Sequence, residues 1–251
     1  AQFDVAVIEI PDTVPPTIDS AVLDLNDGPL EITASETLDL ASPTSIADLS
    51  KLFLQNTLQD TIPLQGAFIY RNDSQSVTVI LTETQRAGAL RGSATVGGDG
   101  TALLIDVYAN AFLDIGANPN LQSGNRSVTE IPDSTQPFLL SATIDFGYGT
   151  LLLDCSETVN KLYTLNLSAL YVSNTTGSRD LNFEGAVPIE SSETTLKLKI
   201  TEPQRLQATF YSGTKSGDGT PSTFMNDVGA LYDLALNPMN AVSSVNLTEI
   251  R

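Results

Sequence analysis

The sequence predicts an all-β protein: two tandem antiparallel β-sandwiches, each with one short helix. Three observations predict it. The chain of 251 residues repeats itself, the dominant apolar period is two, and each half has one capping-box signature. Ile10-Pro11-Asp12 returns as Ile131-Pro132-Asp133, and Ser35-Glu36-Thr37 as Ser156-Glu157-Thr158, both at an offset of 121. Farther on the offset is 119, as in Gly98-Asp99-Gly100-Thr101 against Gly217-Asp218-Gly219-Thr220, and in Asp114-x-x-x-Asn118-Pro119 against Asp233-x-x-x-Asn237-Pro238. The reading divides the chain into a leading strand or linker (1–10), a first repeat (11–130) and a second (131–251). Each repeat is long enough to bury its own core.

The elements follow in order. Ala21, Leu23 and Leu25 alternate with polar neighbours, and Leu30, Ile32 and Ala34 form the inner face of the next strand. Asn26-Asp27-Gly28 joins the two as a tight turn, and Gly147-Tyr148-Gly149 does so in the second copy. Further strands are expected at Leu52–Gln55, Gln65–Tyr70, Ser76–Leu81 and Leu103–Val107, with Thr223–Asp227 matching the last. Thr82 with Gln85, and Thr201 with Gln204, mark the start of the helix, expected to end near Gly92 and Gly213. The junction is read as Val128–Pro137, stiffened by two prolines. Cys155 stands where the first copy has Ala34, on the buried side.

Composition excludes several functions. With 30 acidic and 12 basic residues the net charge is −18, which repels nucleic-acid phosphates. No histidine is present, so Ser-His-Asp and Cys-His chemistry is closed, and the sequence is read as no enzyme. A single cysteine forbids an internal disulfide. No apolar run reaches the length of a membrane helix, so no membrane insertion is expected in this segment, and no basic-then-apolar leader opens it.

The order Pro-x-[Ile/Leu]-x-Ser-Ala, hairpin, Ser-Glu-Thr, short helix and Asp-x-x-x-Asn-Pro resembles the bacterial-type Ig-like repeats of very large extracellular surface, adhesin and filament proteins. The resemblance implies an Ig-like sandwich and a structural role in an extracellular filament or long cell-surface appendage. The partners would be like subunits or neighbouring repeats. The alternative is an adhesin or lectin-like module that recognises a glycan or cell surface; near-equal repeat lengths and sparse aromatic residues favour the spacer.

Candidate sites are few. Glu130 and Asp133 flank Pro132 and are the expected calcium ligands at the junction, with no other cofactor expected. Gly98-Asp99-Gly100-Thr101 and Asp114-x-x-x-Asn118 are read as turns. Arg86 and Arg205 are expected to pair with Glu36 and Glu157. Five sequons, at Asn72, Asn125, Asn166, Asn174 and Asn246, are acceptors if the chain is secreted by a eukaryote. Phe3, Val5, Val7 and Ile8 are the expected polymer contact, within a strand-like lead over 2–10.

Overall fold

A computed structural model describes residues 8–41, 47–58, 61–161, 165–189 and 192–250. Among the described residues the chain is all-β apart from two α-helices and two 3₁₀ turns, and it divides into two compact units, the main division falling between Ile131 and Pro132. Unit 1 contains β1 (Ile18–Asp24), β2 (Pro29–Leu38), β3 (Leu52–Gln55), β4 (Ile62–Pro63), β5 (Phe68–Ile69), β6 (Ser74–Ile80), α1 (Glu83–Arg91), β7 (Leu104–Val107) and β8 (Ser123–Ile131). Unit 2 repeats the order with β9 (Leu139–Asp145), β10 (Thr150–Cys155), β11 (Leu170–Ser173), β12 (Leu181–Asn182), β13 (Val187–Pro188), β14 (Thr195–Lys199), α2 (Glu202–Phe210), β15 (Thr223–Asn226) and β16 (Val242–Ile250).

Each unit holds one eight-stranded sheet, ordered β4-β3-β7-β8-β1-β2-β6-β5 in unit 1 and in the equivalent order in unit 2. The last strand is the hinge of this order. Residues of β8 from Ser123 to Ser127 pair antiparallel with β7, and Val128–Ile131 then pair parallel with β1. A bulge marks the first stretch: Asn125 takes a φ of 53°, and the Asp106 carboxylate accepts its N–H at 2.6 Å. The parallel pairing was not expected from the sequence, and it moves the boundary. Val128–Ile131, read as junction, is the end of a central strand.

The alternation read from the sequence sets the core. Ala21, Leu23, Leu30, Ile32, Val77 and Val79 are buried, as are Leu52, Leu54, Ile105 and Val107 from the other arm of the sheet. In unit 2 both arms contribute to a single cluster that includes Ile144, Leu153, Leu198, Leu170, Val172 and Phe224. Cys155 is part of it, and burial pushes its thiol up to about 12, so it is inert at neutral pH. Both capping boxes form: Thr82 accepts from Gln85 N–H at 3.3 Å while the Gln85 side chain accepts from Thr82 N–H at 2.9 Å. The Gln85 amide then donates to the carbonyls of Pro63 and Gln65, tying the helix to the β4–β5 segment.

Unit 2 has moved one buried amide to a neighbouring position. In unit 1 the Asn120 side chain donates to the carbonyls of Tyr108 and Leu121 and accepts the N–H groups of Ala111 and Phe112. Unit 2 has Met239 at that position and places Asn226 where unit 1 has Val107. Asn226 donates to Asp227 and Asn240, the equivalents of the same two carbonyls. Among the described residues its Oδ1 finds no partner, which is the cost of serving the site from the other strand. Volume follows the swap, since Phe112 beside Asn120 becomes Leu231 beside Met239. Asn226→Val alone is expected to cost unit 2 about 1–3 kcal/mol. Adding Leu231→Phe and Met239→Asn should recover that loss in a chemical melt; a triple variant no better than the single one would contradict the exchange.

Candidate functional site: two equivalent carboxylate clusters

Three carboxylates converge in each unit, at equivalent positions. They are Asp12, Glu36 and Asp114 in unit 1, and Asp133, Glu157 and Asp233 in unit 2; within each group the oxygens lie within 4.8 Å of one another. The backbone explains the convergence. The segment carrying Asp114 bridges to Leu38 at the end of β2, and Asp39 N–H donates to the Leu113 carbonyl at 2.9 Å. That brings Asp114 beside Glu36. In unit 2 the bridge is Val159 to Asp233, and Asn160 N–H donates to Tyr232 at 2.8 Å.

The aspartates are held by local turns. Asp114 accepts from the Asn118 N–H at 2.7 Å and from the Asn118 amide at 2.9 Å; Asp233 does the same with Asn237 at 2.7 and 2.8 Å. Ala117 and Leu236 close these turns with φ of 64° and 69°. The entry aspartates make shorter turns, Asp12 accepting from Val14 N–H at 3.0 Å and Asp133 from Thr135 N–H at 2.9 Å. Asp114, Asp133, Glu157 and Asp233 are buried, whereas Asp12 is exposed and Glu36 half-buried.

Such a group can hold a divalent cation or bear its own repulsion. Six or more oxygens suit calcium, and both oxygens of Asp114 and of Asp233 already accept from an asparagine. Loss of water, then the neighbouring Asp114 and Asp12 carboxylates, raise the Glu36 carboxyl above its ordinary value of 4.5. An acid raised in the folded state destabilises it above the folded pKa, and the penalty is gone below the unfolded one. Glu36→Gln should therefore raise the unit 1 melting temperature in EDTA at pH 7, with the gain vanishing as pH falls below 4.5. A lowered melting temperature in EDTA would contradict it. Calcium that stabilises the parent but not the variant would assign a cation to the cluster.

The residues named from the sequence fall as follows. Asp133 belongs to the unit 2 cluster, but Glu130 is engaged elsewhere: its carboxylate accepts from Ala94 N–H at 2.9 Å and Leu103 N–H at 2.6 Å. Arg86 and Arg205 do not reach Glu36 and Glu157. Arg86 grips Glu83 one helical turn away and donates to the Leu25 carbonyl at 2.8 Å; Arg205 grips Glu202 and donates to Phe146. That is the hairpin end of β2, eight residues and roughly 26 Å of strand from Glu36. Asp99 and Asp218 close Asx turns on Thr101 and Thr220, both at 2.9 Å. Asn72, Asn125, Asn166 and Asn246 are exposed; Asn174 is half-buried and its amide donates to Asp218. Ile8 is exposed, and Phe3, Val5 and Val7 lie outside the described residues. Among the described residues no helix is long and apolar enough to cross a membrane.

The carboxylate clusters were missed in the sequence because each joins three distant segments. The available signal was recurrence, since all three acids return at their unit's offset.

No family model matches the chain, and no curated protein does. Among solved structures, the I9–I11 tandem from titin is 11% identical and covers 94% of this chain and 66% of that one, with a TM-score of 0.24. The chicken CNTN1 FN1–FN3 domains are 10% identical, cover the same shares and score 0.25. The titin A168169 structure is 10% identical, with 95% of this chain and 100% of that one covered, and scores 0.27. Likeness this distant adds no argument to the strand order and the repeat.

Proposed function

We propose that the chain is a load-bearing structural segment of an extracellular filament or long cell-surface appendage, built from repeated Ig-like β-sandwiches and with no catalytic chemistry of its own. One observation carries the reading. In each unit the first and last strands are direct neighbours and parallel, β1 with β8 and β9 with β16. Tension on the two ends of a unit pulls parallel neighbours in opposite directions. The ladder is then loaded in shear, with its hydrogen bonds strained together rather than opened one by one. The ladder extends past the strand ends, where Leu25 N–H donates to Ile131 O at 3.0 Å and Phe146 N–H to Ile250 O at 2.9 Å. The net charge of −18 suits an appendage that stays dispersed in solution. Electron microscopy of the native assembly tests the setting: an axial spacing of one or two units supports it, and scattered monomers oppose it.

A further inference from the structure

Unit 2 departs from unit 1 along one side of its helix. Leu206, Phe210 and Lys215 stand where unit 1 has Ala87, Arg91 and Val96, and Lys199 stands where it has Ile80. The hairpin beside the helix carries Tyr148 in place of Asp27. Leu206, Phe210 and Tyr148 are all exposed. Two clefts adjoin α2 and share Thr209 and Ser216. One, of about 540 Å³, is lined by Leu206 and Phe210; the other, of about 380 Å³, by Phe146, Arg205 and Lys215. Lys199 lies at the hairpin edge of this surface. Its ammonium donates to the Tyr148 carbonyl, and a Cβ added at Gly149 would lie 3.2 Å from Arg205 Cδ and 3.6 Å from Lys199 Nζ. Arg205 is paired with Glu202, but among the described residues Lys199 and Lys215 lie in no salt bridge. The nearby Asp145 and Asp218 each accept a backbone N–H at 2.9 Å.

Unit 1 offers the complement at the far end of its β2. Asp12, Glu36 and Asp114 converge there, and Gly116 packs so close to Asp12 that an added Cβ would lie 2.9 Å from the Asp12 Cβ. That packing sets two exposed apolar side chains, Val14 and Ile115, beside the carboxylates. The charged groups that act on Glu36 are Asp114 and Asp12, with no cation among them.

Single exposed apolar residues need no partner, but each of these surfaces groups them beside charge of one sign. The signs are opposite, which steers an encounter and fixes its register. We infer that the α2 face of one molecule docks on the Asp12–Glu36–Asp114 face of a second copy of this chain. Leu206 and Phe210 pack against Val14 and Ile115, while Lys199 and Lys215 face the carboxylates. The two surfaces differ, so the contact is head to tail. It concerns how copies join, and it stands or falls apart from the load-bearing reading.

Sedimentation velocity of the full chain in EDTA, over a concentration series, tests it. EDTA keeps the carboxylates free of cations. The parent should associate as its concentration rises. Leu206→Asp breaks one surface and Ile115→Asp the other; these side chains are 71% and 61% exposed, so both variants should melt as the parent does. Each variant alone should associate roughly tenfold or more weakly than the parent. Mixed, the two should form a 1:1 dimer and nothing larger, because each supplies the surface the other lacks. Lys199→Glu combined with Lys215→Glu should behave as Leu206→Asp does. A parent that stays monomeric at every concentration, a mixture no heavier than its parts, or a variant that associates like the parent would overturn the inference.

Discussion

Phe112→Ala should destabilise unit 1 by about 3–5 kcal/mol and leave the unit 2 transition in place. Phe112 is fully buried, and its backbone N–H and C=O are both bonded to Asn120, so the surroundings are held and collapse little around the cavity. For a domain of this size the loss corresponds to roughly 10–25 °C in melting temperature. Phe112→Leu should cost less than Phe112→Ala because it removes fewer atoms, and adding Asn120→Met, to match Leu231 beside Met239 in unit 2, should fill the remaining gap. Scanning calorimetry reads both transitions in one experiment. A fall of both together would contradict two separate cores.

The second large effect concerns Glu130 and Glu249, near the ends of β8 and β16. Glu130→Ala leaves the N–H groups of Ala94 and Leu103 without their acceptor and should cost about 2–4 kcal/mol. The amide variants discriminate. Glu130 uses both oxygens, one for each N–H, so Gln must turn an NH2 toward a donor and should recover only part of the loss. Glu249 serves Gly213 and Ser222 with one oxygen, so Glu249→Gln should be nearly neutral. Equal losses for the two Gln variants, measured by chemical denaturation, would contradict these geometries.

The parts legible in the sequence are those with local causes. Alternation in Ala21–Leu25 and Val77–Leu81, the Thr82–Gln85 box and the Asp99 turn each depend on neighbours within a few residues, and all form as read. Val128–Ile131, the end of β8, reads as part of a Val128–Pro137 junction because β8 buries only Val128, which leaves no period to detect, and because a proline follows. Its parallel partner lies about a hundred residues away in the chain. The Arg86–Glu36 pairing failed on strand length: both residues recur, but they sit at opposite ends of β2. The carboxylate clusters needed the bridge from Leu38 to Asp114, a long-range contact that no local pattern announces.

Pulling a single molecule by its two ends tests the central claim most directly. Two self-contained units sheared along parallel terminal strands should give two separate unfolding events. Each should release about 120 residues, or on the order of 400 Å of chain at about 3.5 Å per residue. Phe112→Ala should lower the force of one event and spare the other. A single event releasing twice that length, or gradual extension without force peaks, would contradict the account.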